Sequence, residues 1–263
     1  VWGLQPSSAL AEVLNAHPGI RWVQLIEAGI ENHVALIADG RIWTSGKGES
    51  AEAVAEHALT ILLAGYRDVK LRAAARTWGT RSGRSLYRNR VTIVGGGGIG
   101  AELLRLLAPF GVHATVVRRH PDPMPGAELV VGRDQLIAAL TGADAVVLAA
   151  ATTDETRGMI DADALKAMGP KCWLVNIARG AMVVQDDLLN ALREGWIAGA
   201  ALDVTEPEPL PDGHPLWDLG NCIITPHTAN PPSAARPAIE MRVATNIRNY
   251  IEARPLIGLV DAK

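Results

Sequence analysis

Residues 91–100 read Val-Thr-Ile-Val-Gly-Gly-Gly-Gly-Ile-Gly, and this stretch decides the fold. The β-branched run at 91–94 predicts a short strand, and the apolar segment at 101–110 predicts a helix. Between them, Gly95, Gly97 and Gly100 have the GxGxxG spacing of a dinucleotide-binding turn. The spacing alone is weak evidence in a run of four glycines. Here, however, it has the strand before it and the helix after it that such binding requires.

Each glycine of this spacing has its own role in a coenzyme-binding turn. The first permits a tight turn, the second lets the backbone approach a pyrophosphate, and the third lets the helix pack on the strand. The pyrophosphate then lies at the helix N-terminus, where unpaired N–H groups and the helix dipole favour anions. We therefore predict that a dinucleotide contacts this turn through Gly95, Gly97, Gly98, Ile99 and Gly100.

The end of the next predicted strand, about 20 residues further on, indicates which dinucleotide is bound. That strand, at 112–117, ends in Arg118-Arg119-His120, and the first acidic residue is Asp122. An acid at the strand end would bind the ribose of NAD, whereas arginine pairs with the 2′-phosphate of NADP. We therefore expect NADP in preference to NAD, with Arg118 and Arg119 at the phosphate. The opposing interpretation, that both arginines are surface charges, leaves NAD open.

Beyond the glycine-rich turn, strand-like runs alternate with helix-like segments. Strands are predicted at 112–117, 129–131, 145–149, 172–176, 198–203 and 222–225, with helices at 133–140, 162–168 and 185–194. Continuous apolar strands separated by helices are typical of a parallel sheet covered on both faces. The predicted fold class is therefore α/β, with a doubly wound parallel sheet of the Rossmann type.

The first 49 residues read as a separate, smaller α/β segment, with a helix at 8–16 and strands at 21–26 and 34–38. A final helix is predicted at 233–252, after a Pro-Pro pair that marks a domain crossing. We therefore predict a first segment at 1–49, a dinucleotide-binding domain at 50–229 and a C-terminal segment at 230–263. A unit of about 48 residues is too small to stand alone comfortably. We expect that further sequence precedes Val1.

Composition narrows the function classes. The chain has 263 residues, 48% hydrophobic and 20% charged, which is enough apolar material for a buried core. The formal net charge of -3 argues against a strongly basic nucleic-acid-binding protein. No uncharged apolar run of about 18 residues and no export signal are visible, so we expect a cytoplasmic protein without membrane partners. The two cysteines are too few for a disulfide framework, and no side-chain group has metal-ligand spacing, so no metal is predicted.

Polar side chains lie at the ends of the later predicted strands, where Arg179, Asp203 and His227 each end or follow a strand. Because the carboxyl ends of parallel strands face the ligand crevice, we expect these side chains to meet there. Such a set suits hydride transfer on a substrate that carries a carboxylate. The arginine holds the substrate, the histidine transfers a proton, and a carboxylate orients the histidine. Glu206 and Glu208 are both candidates for that carboxylate, and spacing alone does not choose between them.

Taken together, these motifs resemble those of the D-isomer-specific 2-hydroxyacid dehydrogenases over essentially the whole chain. The matching stretches are Ala53-Val-Ala-Glu-His-Ala, the turn at 95–100, Thr153-Asp-Glu-Thr-Arg-Gly, Asn176-Ile-Ala-Arg-Gly, Ala201-Leu-Asp-Val-Thr-Glu-Pro-Glu-Pro-Leu, His214-Pro-Leu-Trp and Thr225-Pro-His. In this order and spacing they are highly specific. The resemblance implies an NAD(P)-dependent oxidoreductase of small 2-oxo acids and D-2-hydroxy acids, similar to glyoxylate/hydroxypyruvate reductases.

At the matching positions, the resemblance implies a role for each residue. Arg179 would bind the carboxylate and carbonyl oxygens of the 2-oxo acid, His227 would donate the proton in reduction, and Glu208 would be its partner. The remaining implied contacts are Asp203 at the nicotinamide amide, Thr156 and Ala178 at the coenzyme, and the backbone of Ala28 and Gly29 at the substrate carboxylate.

The resemblance also implies an architecture and leaves alternatives. The first and last segments would form a smaller flavodoxin-like α/β substrate domain that closes over the cleft, and the protein would form a homodimer through its coenzyme domain. Ala151 stands where the family often has proline, and Thr228-Ala-Asn departs from its usual pattern after the histidine. A formate or phosphite dehydrogenase relative and a nucleotide-sensing, corepressor-like binding protein stay open as alternatives. His57 is interpreted as a packing or interface residue.

Overall fold

In the computed structural model, which describes residues 1–3, 6–37 and 39–260, the chain forms two units. The larger unit is Glu52–Ala229, and the smaller one combines the described parts of Val1–Ala51 and Asn230–Lys263. The strands of the described residues are β1 (Trp22–Gln24), β2 (Ile42–Thr44), β3 (Arg90–Val94), β4 (His113–Val117), β5 (Leu129–Val131), β6 (Ala145–Leu148), β7 (Trp173–Asn176), β8 (Gly199–Leu202) and β9 (Cys222–Ile224). The helices are α1 (Ser7–Ala16), α2 (Val34–Ile37), α3 (Ala51–Tyr66), α4 (Val69–Ala74), α5 (Gly98–Leu107), α6 (Leu136–Leu140), α7 (Ala162–Met168), α8 (Gln185–Glu194) and α9 (Pro232–Ile251).

The larger unit is built on one parallel sheet in the order β5-β4-β3-β6-β7-β8-β9. From β3 the sheet is extended on one side by β4 and β5, and on the other side by β6, β7, β8 and β9. This is the strand order of doubly wound dinucleotide-binding folds, and the reversal between β3 and β6 opens a crevice at the carboxyl ends of the strands. The prediction of a Rossmann-type α/β fold is confirmed.

Alternate side chains of the central strands pack on opposite faces of this sheet, as the period of two requires. Val146 and Leu148 of β6 belong to one buried apolar cluster, together with residues of α7 and α8. Val147 belongs to the other cluster, together with residues of α3 and α5. Both faces are therefore covered, which explains why the predicted strands are continuously apolar. No helix in the described part of the chain is long and apolar enough to cross a membrane.

The smaller unit contains the parallel pair β1 and β2 and the long C-terminal helix α9. The Trp22 ring stacks on Tyr250 of α9, with ring centroids 5.2 Å apart. The buried Asn246 amide donates a hydrogen bond to the side-chain oxygen of Gln24 at 2.8 Å. The core of this unit consists of Leu10, Leu14, Val23, Leu25, Ile37 and Trp43. These contacts join the first and last segments of the chain.

One predicted element is wrong. Residues 34–38 were expected to form a strand, but Val34–Ile37 is a short helix, α2, and Ala38 lies outside the described residues. A run of five apolar residues is too short for its period to distinguish a strand from a helix. Here the 3₁₀ turn Glu31–His33 runs directly into α2, and β2 follows at Ile42–Thr44 as the partner of β1.

Candidate active site

The carboxyl edge of the large sheet brings together most of the predicted functional side chains. The glycine-rich turn follows β3, Arg179 follows β7, Asp203 and Glu208 follow β8, and His227 follows β9. Because β7, β8 and β9 are neighbours in the sheet, the loops that carry these side chains lie side by side. All of these residues belong to the larger unit.

The turn after β3 has the backbone geometry that coenzyme binding requires. Gly95 has a φ of 121°, and a Cβ there would lie 2.5 Å from the carbonyl carbon of Ala149. A Cβ on Gly100 would lie 2.2 Å from the Gly95 carbonyl oxygen, so only glycine allows the helix to approach the strand this closely. A Cβ on Gly97 would meet nothing within 4 Å. The turn therefore leaves open space beside Gly97, where a pyrophosphate can approach the backbone.

Helix α5 begins directly after this turn, at Gly98, with Gly97 as its N-cap. Ile99 in the first turn is partly buried against the core, which orients the helix start. Glycine supplies no side-chain cap, so the first helical N–H groups are suited to an external anion. The residues present therefore fit the phosphates of a dinucleotide.

The arginines after β4 are in different surroundings. Arg118 is half-buried, and a Cβ on Gly96 would lie 2.8 Å from Arg118 Cδ, so this side chain packs against the coenzyme turn. Arg119 is exposed, and its Nη2 lies 3.6 Å from Glu155 Oε2. The same carboxylate oxygen lies 2.6 Å from Arg133 Nη1. The hydrogen bond from Arg133 lowers the pKa of the Glu155 carboxyl below its ordinary value.

Thr156 closes the loop that follows β6. Its hydroxyl donates to the Ala151 carbonyl at 2.9 Å and accepts from the Thr153 N–H at 2.8 Å. Because the bond to residue 151 uses the backbone carbonyl, alanine in place of proline retains it. Thr156 thus has a structural role in the loop, and its contact with the coenzyme stays a prediction.

The turn after β7 presents Arg179. The Asn176 side chain accepts from the Ala178 N–H at 3.0 Å and donates to the Arg179 carbonyl at 2.9 Å, which holds the turn together. A Cβ on Gly180 would lie 1.9 Å from the Thr205 carbonyl oxygen, so glycine is needed where this turn meets the loop after β8. Arg179 itself is half-buried, and its Nη1 donates to the Ala178 carbonyl at 2.8 Å.

His227 and Glu208 form a close pair, with Nδ1 of the imidazole 2.5 Å from Oε1 of the carboxylate. The His227 side chain is 50% exposed and the Glu208 side chain 39%, so a ligand can reach the pair. Of the two candidate carboxylates, Glu208 is the one that contacts His227, while the exposed Glu206 donates its backbone N–H to Gln185 Oε1 at 3.0 Å. With Nδ1 on Glu208, proton exchange with a substrate is left to Nε2.

Asp203 anchors the loop that carries His227. Its carboxylate is 2% exposed and accepts from the Thr225 hydroxyl at 2.5 Å and from the N–H groups of Thr228 and Ala229, each at 2.9 Å. Its backbone carbonyl accepts from the His227 N–H at 2.9 Å. Asp203 therefore holds this loop from both its side chain and its backbone. Its contact with the nicotinamide amide stays a prediction.

His57 of α3 reaches the same cluster. Its Nε2 lies 3.1 Å from Thr225 Oγ1 and 3.3 Å from Asp203 Oδ1. The sequence motif around His57 indicated packing, and neither its spacing nor that of Thr225 predicted this contact. The bonds from the backbone N–H groups of the loop have no sequence signal at all, because any residue can make them.

Ala28 and Gly29 belong to the smaller unit, in the bend that follows β1. Ala28 is exposed and Gly29 half-buried, and the preceding Glu27 carbonyl accepts from the Gly46 N–H at 2.8 Å. Their role at the substrate carboxylate stays a prediction.

Comparison with known proteins identifies the larger unit. The family model for the NAD-binding domain of D-isomer-specific 2-hydroxyacid dehydrogenases matches residues 58–229. A protein of Corynebacterium melassecola, described as uncharacterized and encoded in the proB 3′ region, is 40% identical over 222 residues, which cover 80% of this chain and 72% of that protein. Human glyoxylate reductase/hydroxypyruvate reductase is 38% identical over 178 residues, which cover 66% of this chain and 53% of that enzyme. The matched part thus spans about half the length of the human enzyme.

A solved structure has the same fold. The D-isomer-specific 2-hydroxyacid dehydrogenase from Xanthobacter autotrophicus Py2, in complex with NADPH and MES, superposes with a TM-score of 0.83 and 30% identity over 95% of this chain and 80% of that chain. The predictions of the family and of a dehydrogenase are confirmed. The chain belongs to the D-isomer-specific 2-hydroxyacid dehydrogenases, and its larger unit contains their NAD-binding domain.

Proposed function

We propose that the protein reduces a small 2-oxo acid to a D-2-hydroxy acid, with NADPH as the hydride donor. The observation that carries this proposal is the His227–Glu208 pair, with its 2.5 Å contact between imidazole and carboxylate. The pair lies at the sheet edge that also carries the glycine-rich turn and Arg179. Glyoxylate and hydroxypyruvate are the first substrates to test, since the human relative is a reductase named for both.

Each residue of this set has a defined chemical task. The Arg179 guanidinium binds the substrate carboxylate and polarises the carbonyl oxygen through charge-assisted hydrogen bonds. The bound coenzyme supplies the hydride to the carbonyl carbon. His227 Nε2 donates a proton to the carbonyl oxygen, and Glu208, in contact with Nδ1, orients the ring. In the oxidation direction, His227 takes the proton from the hydroxyl group.

NADP is proposed over NAD on the residues that follow β4. Arg118 packs against Gly96 beside the coenzyme turn, and the described segment after β4 carries no acidic residue before Asp122. A guanidinium there favours a 2′-phosphate, and the Xanthobacter relative is a complex with NADPH.

The two alternative functions are less favoured. The relatives named for their activity include glyoxylate/hydroxypyruvate reductases from human and Serratia proteamaculans, and neither name refers to formate, phosphite or transcription. The presence of Arg179, Glu208 and His227 together favours turnover over coenzyme sensing alone.

We also propose that the smaller unit is the substrate domain and that two copies associate through the larger unit. The segment after α3 exposes apolar side chains that a second copy would cover. They are Val69 at 48%, Leu71 at 54%, Trp78 at 99% and Tyr87 at 59% exposed.

The function is tested by following the oxidation of NADPH and NADH with glyoxylate, hydroxypyruvate, pyruvate and phenylpyruvate. We expect turnover that favours NADPH, and the best substrate reports the size of the site. Arg179→Ala should abolish reduction while NADPH binding, measured by titration calorimetry, stays unchanged. Full turnover by Arg179→Ala would contradict the assignment, and turnover with NADH alone would contradict the coenzyme preference.

A further inference from the structure

Three charged side chains form a cluster in which only Arg119 has a predicted role, at the 2′-phosphate, while Arg133 and Glu155 have none. Glu155 Oε2 lies 2.6 Å from Arg133 Nη1 and 3.6 Å from Arg119 Nη2. The two arginines come from the ends of adjacent strands, since Arg119 follows β4 and Arg133 follows β5. One carboxylate oxygen thus lies within ion-pair distance of two guanidinium groups from separate loops.

This cluster lies beside the coenzyme turn. The Arg118 N–H donates to the Val131 carbonyl at 3.0 Å, which joins the residues after β4 to the end of β5. The Arg118 side chain in turn packs on Gly96 of the turn. The Glu155 carboxylate therefore pairs with two guanidinium groups next to the place where the 2′-phosphate of NADP is expected.

We propose that Glu155 is a specificity-determining residue that competes with the 2′-phosphate of NADP(H) for Arg119 and Arg133. The inference rests on the coenzyme-binding part of the proposed function, and not on the identity of the 2-oxo acid. A phosphate group offers three acceptor oxygens and up to two negative charges, so it satisfies two guanidinium groups better than one carboxylate does. NADH has no such group and leaves the cluster intact.

The 2′-phosphate can replace the Glu155 carboxylate readily because the ion pairs of Glu155 are weak. Glu155 is 56% exposed and Arg119 is 63% exposed, and ion pairs between such side chains contribute little free energy in water. Glu155 therefore lowers NADPH affinity by a modest factor without blocking the site. Arg133, which is 31% exposed, makes the shorter contact and should contribute more to phosphate binding.

The test is titration calorimetry of the full chain with NADPH, NADH, adenosine 2′,5′-bisphosphate and AMP. Glu155→Gln should lower the Kd of NADPH and of the bisphosphate about threefold, and leave the Kd values of NADH and AMP unchanged. Arg133→Leu should raise the Kd of NADPH about tenfold, again without effect on NADH. The matched control is Glu128→Gln, which removes the same charge. Glu128 forms an exposed pair with His113 at the amino ends of β4 and β5, away from the cluster at their carboxyl ends.

The outcomes separate this inference from the proposed function. Unchanged NADPH affinity in Glu155→Gln would overturn the inference. An equal gain in Glu128→Gln would also overturn it, because the effect would then be long-range charge. Loss of NADH affinity in Arg133→Leu would do the same by indicating structural damage. A protein that shows the expected shifts but reduces no 2-oxo acid would support the inference while contradicting the proposed function.

Discussion

At the scale of single residues, the proposed mechanism depends on how the backbone of His227 is held. Its backbone has a φ of 51°, a left-handed conformation that costs a residue with a side chain about 1–3 kcal/mol. The Asp203 carboxylate offsets this cost through bonds to the flanking loop, and the Thr225 hydroxyl fixes the carboxylate at 2.5 Å. We therefore expect Thr225 to affect turnover indirectly, by keeping His227 in place.

Thr225→Val removes this hydroxyl at nearly constant volume. The variant should lose about 1–3 kcal/mol in the free energy of unfolding, because a buried carboxylate loses one donor. Its kcat should fall while the Kd of NADPH stays unchanged. Urea unfolding, steady-state kinetics and calorimetry measure the three quantities. Thr60→Val on the exposed face of α3, where the hydroxyl only bonds back to the Glu56 carbonyl, is the control and should behave as wild type.

Both cysteines should be inert in the folded protein. The pKa of the Cys172 thiol is raised to about 12, chiefly by burial and also by nearby Asp144, against the opposing effect of Arg84. Burial likewise raises the pKa of Cys222 to about 12, against the opposing effect of Lys70. Since thiolate is the reactive form, iodoacetamide at about pH 8 should modify neither thiol before unfolding and both afterwards. Mass spectrometry checks this, and rapid labelling of the native protein would contradict the buried placement.

At the scale of elements, the turn after β3 contains one glycine that the fold needs, Gly100, and one that we expect only the ligand to need, Gly97. Gly100→Ala brings a methyl group to 2.2 Å from the Gly95 carbonyl oxygen, so it should lower Tm and coenzyme affinity together. Gly97→Ala meets no protein atom within 4 Å, and its φ of -85° is one that alanine adopts. It should keep the Tm of wild type and lose NADPH binding, because the methyl group fills the space for the pyrophosphate. Thermal unfolding with and without NADPH checks both variants, and tight NADPH binding by Gly97→Ala would argue against the proposed phosphate position.

The sequence predicts elements well where a pattern is long or a motif has neighbours to support it. The glycine-rich turn and the apolar strands after it predicted the Rossmann-type sheet, since the central strands β6, β7 and β8 are buried on both faces. The prediction of a strand at 34–38 failed because five apolar residues suit either a strand or a helix, and tertiary contacts decide. The short strand β2 has only three residues and takes its identity from pairing with β1, which no local pattern reveals.

At the scale of the whole molecule, the candidate site likewise has a part that sequence patterns predict and a part that only tertiary packing determines. Arg179, Asp203 and His227 could be placed at one edge because parallel strands bring their following loops there, whereas the choice of Glu208 over Glu206 came from the family resemblance. The cluster of His57, Asp203 and Thr225 could not be predicted, because it joins α3 to the loops after β8 and β9. Such long-range contacts depend on packing and leave no spacing in the sequence.

If two copies associate through the larger unit, a substitution on that unit should weaken the dimer and one on the smaller unit should not. Trp78→Ser removes a side chain that is 99% exposed in the single chain, and should weaken the dimer because an aromatic anchor is lost. Met241→Ser alters a side chain of the smaller unit that is 71% exposed, and should leave the dimer intact. Sedimentation velocity over a range of concentrations measures both. Equal sedimentation of Trp78→Ser and wild type as dimers would contradict the role of this surface.

The decisive measurement for the proposed proton donor is the rate of 2-oxo acid reduction by His227→Asn, measured with saturating NADPH beside the wild type. Asparagine accepts the left-handed backbone of this position but cannot transfer the proton. We expect kcat to fall by about 10²–10⁴-fold, while NADPH binds as tightly as before. If His227→Asn retained wild-type turnover, His227 would not be the proton donor and the proposed mechanism would be wrong.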